Sequence, residues 1–283
     1  MEVVGTVREI RRYPVKSMLG EMLQASPILT RGVRGDRVCA LIDAQTGKVA
    51  SAKLPHRWKR LLECNAVYDD DSEQVTIALP DGRRIVADDP SASQTLSELL
   101  GREVRVAFSR PEGLEVDRAN PDELAQNPAT NTVGSTVLKI GTGAPEGGFF
   151  DAVPIHFVTT VSLRQVAEHS IAKVPEPVRF RPNIVIETLD QPPFVENSWV
   201  GSIVAIGDLR LKVVLPTPRC AIPTLAHGST APDPRLTANI GKLNKVQILD
   251  MGMLACLGAY ALVEQAGTIA VGDPVTVTPP TPH

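Results

Sequence analysis

No C-x-x-C pair occurs in this chain, whose four cysteines stand singly at positions 39, 64, 220 and 256. That scatter excludes a zinc ribbon, an iron–sulfur cluster and a redox dithiol, and it suits a reducing cytoplasm. No apolar run approaches the ~20 residues that a membrane helix needs. The start, Met1-Glu-Val-Val-Gly-Thr-Val-Arg-Glu-Ile10, is already strand-like and lacks the apolar core of a signal peptide. Neither sign of charge dominates, with 29 Lys and Arg against 32 Asp and Glu, a net charge of −3 and a pI near 6.0. A basic field for nucleic acid or anionic lipid is therefore missing, and any arginine cluster must be local and aimed at a small anion. Gly141, Gly143, Gly147 and Gly148 miss the G-x-G-x-x-G spacing and no helical pattern follows them, so no dinucleotide fingerprint is present. Nor is there a repeat of fixed period.

What the chain has is proline: 24 of its 283 residues, against 4% aromatics, point to many short elements joined by rigid loops. The length suffices for one large domain or two modest ones. Apolar runs at Val3–Arg12, Leu23–Leu29, Asp36–Ile42 and Lys48–Ala52 read as strands, and Leu54–Leu62 as one or two helical turns. Gln74–Leu79 and Arg84–Ala87 form a hairpin around Pro80-Asp81-Gly82-Arg83. Ser91–Leu100 reads as a helix stopped at Gly101, and Val104–Phe108 as a strand. Between Ser109 and Gly148 apolar periodicity fades, as in a domain linker or a flap. Beyond it come a strand over Phe149–Val158, an amphipathic helix over Thr160–His169 and a turn into a strand over Val178–Ile186. A hairpin over Ser202–Leu215 turns at Gly207-Asp208, and a polar loop runs from Ala226 to Pro234. Strands over Lys245–Leu249, Cys256–Val263 and Gly267–Val277 end the chain. Short strands and few long helices argue for barrel-like sheets, not a doubly wound α/β fold.

The stretch Leu215-Pro-Thr-Pro-Arg-Cys-Ala-Ile-Pro-Thr224 carries three prolines, which read as a stiff, non-repetitive loop. Such a loop can hold the Cys220 side chain in a fixed place, with Arg219 beside it favouring thiolate over thiol. Three other loops pair a cation with a strand end: Lys16-Ser17, Asp36-Arg37 and Arg179-Phe-Arg181-Pro-Asn183. If the four converge, they form a cationic pocket with one thiolate, suited to a phosphorylated anion because guanidinium groups grip phosphate bidentately. Cys39, Cys64 and Cys256 lie in apolar contexts and read as core. His156 and His169 read as structural, and His227 as an exposed loop histidine.

Tyr13-Pro-Val-Lys-Ser17, Arg179-Phe-Arg-Pro-Asn-Ile-Val-Ile186, Pro218-Arg-Cys220, Gly258-Ala-Tyr260 and Gly267-Thr-Ile-Ala-Val-Gly-Asp-Pro-Val275 occur in the order seen in the MOSC family, which the chain resembles. The family includes amidoxime-reducing components, bacterial proteins that detoxify N-hydroxylated bases, and a domain of molybdenum cofactor sulfurase. The resemblance implies an α+β, mostly β fold with few short helices: a smaller N-terminal β-barrel domain over residues 1–109 and a β-barrel-like MOSC domain over 110–283. It implies a molybdenum cofactor, with Cys220 as thiolate ligand to the metal; pyridoxal phosphate is not expected. Lys16, Ser17, Arg37, Arg181, Asn183 and Arg219 match the positions that bind the cofactor's phosphate and pterin. Asp151 matches a further cofactor-contacting region, although Val153 stands where some relatives carry a hydroxyl residue. The implied activity is reduction of small N-hydroxylated compounds such as hydroxylamines, amidoximes or hydroxylaminopurines. The alternative is a sulfur-carrier or cofactor-handling protein, with Cys220 holding a persulfide or passing molybdopterin along; a binding module without chemistry is a third reading.

Reducing an N–O bond takes two electrons. Cys256 is the one cysteine after Cys220, so the four-cysteine cluster carried by some bacterial relatives is not expected, nor is a bound nicotinamide or flavin. The resemblance therefore implies a separate reductase or ferredoxin-type donor. The cofactor-loaded chain is expected to turn over with dithionite-reduced viologen but not with NADH alone. NADH oxidation coupled to substrate reduction by the isolated chain would overturn this expectation.

Overall fold

Glu2–Arg12 (β1) buries Gly5 and Val7 on one face, and a bulge between Val7 and Glu9 then shifts the phase so that Ile10 and Arg12 turn inward. The computed structural model describes residues 2–120, 123 and 134–280. In it β1 is one stave of a closed barrel with Ile155–Thr159 (β2), Ile184–Thr188 (β3), Ile203–Ile206 (β4), Leu209–Pro218 (β5), Met253–Gln265 (β6) and Pro274–Thr278 (β7). The order is β2-β3-β1-β7-β4-β5-β6, and pairing of β6 with β2 closes the ring, leaving no edge exposed within it. Neighbours run antiparallel except β2 and β3, which are parallel and joined through the helix Thr160–Ala167. Val7, Phe157, Ile186, Val204, Leu211 and Val275 fill the interior. The fold is thus mostly β with short helices, as expected.

Residues 15–119 build a second core around Met18, Leu41, Trp58, Leu61, Ile77 and Leu96. Around it lie the sheet Asn65–Tyr68, Val75–Ala78, Arg84–Val86 and the pair Ala40–Asp43 with Val104–Ala107. The hairpin register Ile77↔Ile85 and the helix Ala92–Leu100 ending at left-handed Gly101 match the sequence reading. The N-terminal 109 residues do not keep to themselves. Their first strand lies between β3 and β7, and Ala25–Leu29 pairs with Gly267–Ala270.

Several expectations needed correction. Leu215–Thr224 was expected to be loop throughout, but β5 runs through Pro216 and Pro218. Register shifts between Val213 and Leu215 and between Pro216 and Pro218 relieve the ladder of the missing N–H donors. Cys220 lies two residues past the strand end. The strand expected over Phe149–Val158 starts only at Ile155; Phe149 and Phe150 owe their apolar character to burial in a loop. Lys48–Ala52 makes a single bridge, Ile42↔Val49, in place of a strand. Within the stretch read as linker or flap, Glu115–Ala119 and Ser135–Lys139 form an antiparallel pair, and residues 121–122 and 124–133 lie outside the described residues. Ser135–Lys139 is exposed at every position, so no apolar alternation marks it. The helix Leu236–Leu243 was not anticipated. Among the described residues no helix is long and apolar enough to cross a membrane.

His227, expected in solvent, is 2% exposed: its Nδ1 lies 2.9 Å from the Leu225 carbonyl, and Gly228 N–H donates to Leu62 O across to the other core. Burial first, and the charges of Arg181 and Arg179 next, against a favourable backbone hydrogen bond, push it down from 6.5 to about 4. Between these values the unfolded chain binds the proton and the folded one does not. Stability from this group is present above about pH 6.5 and is lost as pH falls to about 4, on the order of 3 kcal/mol in all. Denaturation of His227→Gln should show a shallower loss over that window than wild type; identical slopes would refute it. Gly258 has φ +77°, and a Cβ there would sit 2.5 Å from both Phe157 O and His156 Nε2. Gly258→Ala should lose about 3 kcal/mol or more. Gly101→Ala, with φ +65° but nothing within 4 Å, should lose only about 1–2 kcal/mol by denaturant titration.

Candidate functional site

Eight non-glycine residues have positive φ among those described, and three of them are Ser17 (66°), Arg37 (50°) and Arg181 (54°). A side chain in the left-handed region costs about 1–3 kcal/mol and persists where surrounding contacts over-determine it. Ser17 lies on the loop that leaves β1, Arg181 on the one that enters β3, and Arg37 between Gly32–Val33 and Ala40–Asp43; all three are residues singled out from the sequence.

Lys16 follows β1 and is 5% exposed; its Nζ donates to Phe149 O (2.8 Å) and Asp151 Oδ1 (2.7 Å). The same carboxylate oxygen receives Lys53 Nζ at 2.8 Å. The two lysine side chains are 6% and 10% exposed, whereas that of Asp151 is 37% exposed and opens outward. Burial drives Lys16 down to about 8 despite Asp151, with Lys53 adding to the fall. Burial would raise Asp151, yet Lys16 and Lys53 together hold it well below the usual carboxylate range. Burial opposes the charge on Lys53, but Asp151 and then Cys220 favour it, and the net shift is upward. Ser17 Oγ lies 3.2 Å from Ser51 Oγ and accepts Ala52 N–H at 3.2 Å, which ties the Lys16 loop to the segment bearing Lys53.

Arg37 pairs with Asp36, and its Nη1 and Nη2 reach Asn183 Oδ1 (3.5 Å) and Arg181 O (3.4 Å). Asn183, fully buried, donates from Nδ2 to Asp36 Oδ2 (3.0 Å) and accepts His156 N–H on Oδ1 (3.1 Å). Asp36 also accepts Tyr13 N–H at 2.7 Å. The Arg181 guanidinium lies 4.3 Å above the Tyr13 ring centroid, and its Nη1 donates to Met18 O. The Lys16, Arg37 and Arg181 loops thus interlock through one buried carboxylate, one amide and one aromatic ring.

Arg219, 9% exposed, donates from Nη1 to Phe180 O (3.2 Å), and its backbone N–H donates to Ala255 O (2.8 Å). Cys220 is partly exposed; its carbonyl accepts Thr237 Oγ1 at 3.1 Å, and it packs with Ala52, Leu62, Ile222 and Leu225. Cys39, Cys64 and Cys256 are fully buried, as expected of core cysteines. The structure therefore brings Lys16 to Asp151, Arg37 to Arg181 and Asn183, and Ser17 to the Lys53 segment that packs by Cys220.

Sequence reasoning missed Lys53 and gave Asp36 no role. A lone lysine at the end of an apolar run carries no signal of burial; Asp36 was quoted beside Arg37, and only its three buried contacts reveal its function. Arg181 Nη2, Arg219 Nε and Thr217 Oγ1 are buried without a partner among the described residues. Donors left unpaired in this way favour a ligand rich in acceptors. No cluster of three or more His, Cys, Asp or Glu that could hold a metal occurs among the described residues, so a metal here would need ligands of its own besides Cys220.

The family model for the MOSC N-terminal beta barrel domain matches residues 4–115, and that for the MOSC domain matches residues 145–276. Mitochondrial amidoxime-reducing component 1 of Mus musculus is 24% identical over 298 residues, 97% of this chain and 83% of its own. Mitochondrial amidoxime reducing component 2 of Homo sapiens is 25% identical over 295 residues, 97% of this chain and 84% of its own. A solved structure, the YUAD protein from Bacillus subtilis, covers 97% of this chain and 95% of its own at 12% identity and TM-score 0.45. With both family models matched in order and together spanning most of its length, the chain belongs to the MOSC family.

Proposed function

We propose that the chain is a molybdenum-cofactor-dependent reductase of N-hydroxylated compounds, fed by a separate electron donor. The observation that carries this reading is the partly exposed Cys220 thiol beside a set of largely buried cations whose donors Arg181 Nη2 and Arg219 Nε lack partners among the described residues. A phosphorylated pterin would supply acceptors to those donors, and its dithiolene would supply the metal ligands the chain lacks. Lys16, Arg37 and Arg181 would hold the phosphate, with Ser17, Asn183, Asp151 and Arg219 along the pterin and Cys220 as the protein's ligand to the metal. When bound, the group supplies two-electron oxygen-atom chemistry: R–NH–OH + 2e⁻ + 2H⁺ → R–NH₂ + H₂O. The chain's part is to fix the thiolate on the braced end of β5, neutralise the phosphate and keep Asp151 ionised between two ammonium groups.

Cys220→Ala, made in a host that synthesises the cofactor, should lose benzamidoxime reduction while its melting curve stays near that of wild type, because a partly exposed thiol contributes little to stability. Wild-type turnover in the variant would exclude Cys220 as the ligand. Stoichiometric molybdenum in wild type without reduction would favour the cofactor-handling reading.

A further inference from the structure

Lys245–Gln247 pairs with the first residues of β6, Met253–Ala255, to make a short hairpin rooted on the Cys220 segment. At the root, Arg219 N–H donates to Ala255 O (2.8 Å) and Pro218 pairs with Cys256. The helix Leu236–Leu243, which leads into the hairpin, donates from Thr237 Oγ1 to Cys220 O (3.1 Å). Asn244 fixes the base: its Nδ2 donates to Cys256 O (2.9 Å), and its Oδ1 accepts Asn197 Nδ2 (2.9 Å). Met253 is therefore only about 7 Å along the strand from the residue that Arg219 bonds.

The far end of the hairpin carries apolar side chains into solvent. Leu249, Met251 and Met253 are 76%, 54% and 56% exposed, and Leu249 is the most exposed large apolar residue among those described. The turn that presents them is well defined: Ile248 is buried, its N–H donates to Gly252 O (3.0 Å) and its carbonyl accepts Met251 N–H (2.8 Å). Leu249 stands at φ +43°, where glycine or asparagine is the ordinary choice. A group of exposed apolar side chains on a fixed turn marks a contact surface. Beside it, Lys242 and Lys245 are exposed and form no ion pair among the described residues. Asp250 is the one acid between residues 236 and 255, so this spot is basic on a chain whose net charge is −3.

We propose that this hairpin tip is the docking surface for a protein electron donor, a small acidic one-electron carrier, with Leu249, Met251 and Met253 at the centre of the contact and Lys242 and Lys245 on its rim. An apolar centre with a polar rim is the ordinary anatomy of protein contacts, and complementary charge steers the encounter. Electron-transfer encounters are small and short-lived, which suits a surface of this size. Docked here, the carrier sits on the element bonded to Arg219 and Cys220. Two reduced carriers serve each turnover: R–NH–OH + 2 reduced carriers + 2H⁺ → R–NH₂ + H₂O + 2 oxidised carriers. The surface follows from the hairpin; the role of its occupant as electron donor rests on the reductase reading above.

The probe is a plant-type two-iron ferredoxin, an acidic one-electron carrier. Calorimetric titration of the full chain with oxidised ferredoxin at low ionic strength should show saturable binding that weakens as salt is raised. The double variant Leu249→Asn, Met251→Ser and the double variant Lys242→Glu, Lys245→Glu should each raise Kd by about tenfold or more. Met22→Ser, 61% exposed on another face, should leave Kd unchanged, and melting curves confirm that all variants fold. In the loaded enzyme both double variants should raise KM for reduced ferredoxin by a similar factor, while turnover with dithionite-reduced viologen stays at the wild-type value. No binding to wild type, or equal binding by both double variants, would overturn the proposal. So would loss of viologen-driven turnover in the variants, which would place the tip's effect on the site and not on the donor. Binding to phosphatidylglycerol vesicles, or a concentration-dependent dimer, that the same substitutions abolish while ferredoxin does not bind would give the surface to lipid or to a second copy and overturn it too. Viologen-driven reduction without ferredoxin binding rejects the docking surface alone. Ferredoxin binding that the variants abolish, without viologen-driven reduction, rejects the reductase reading alone and leaves a surface for an acidic protein.

Discussion

Two largely buried ammonium groups held near one another repel, and each has lost its hydration; a carboxylate between them offsets both penalties. Asp151 is that carboxylate. Its one oxygen receives Lys16 from the segment after β1 and Lys53 from the segment before the helix at Pro55. Asp151 itself belongs to the loop that leads into β2. Three stretches far apart in sequence are pinned at one point, and the loop bearing Ser17 is tied to the same place through Ser51 and Ala52.

Asp36 does the same for the Tyr13, Arg37 and Asn183 segments, taking Tyr13 N–H, Asn183 Nδ2 and the Arg37 guanidinium. Arg37, paired with Asp36, and Arg181, held by Met18 O and the Tyr13 ring, can keep positive φ because buried partners engage their side chains. Strain and charge are concentrated where a ligand would supply the missing acceptors.

Much of this was legible in the sequence. Strands that alternate over a half-buried face, such as Val75–Ala78, announce themselves, as does a helix that stops at Gly101. The four cation-bearing loops were also visible, since each interrupts an apolar run. Other features had no local signature. Lys53 looks like any surface lysine until its partner, about a hundred positions away in sequence, is known. Pro216 and Pro218 argue against a strand, and only the bulges opposite β6 show how the ladder accommodates them. The exposed strand Ser135–Lys139 has no buried face, so periodicity could not find it. Local pattern reports burial along one element; it does not report which distant element completes a charge pair.

The position of β1 has a consequence for how the molecule is made. Synthesis delivers this stave well before both of its barrel neighbours, Ile184–Thr188 and Pro274–Thr278, the second more than 250 residues later. Until then only its end, Ile10–Arg12, has a partner close in sequence, the strand Glu21–Leu23, while residues 15–119 already possess the apolar side chains of their own core. Closing the ring is therefore a long-range event, with the loop entropy that such contacts carry. Cys220 draws its surroundings from Ala52 and Leu62 before it and from Leu225 and Thr237 after it, so a group seated there binds only once both halves of the chain have been made and have met.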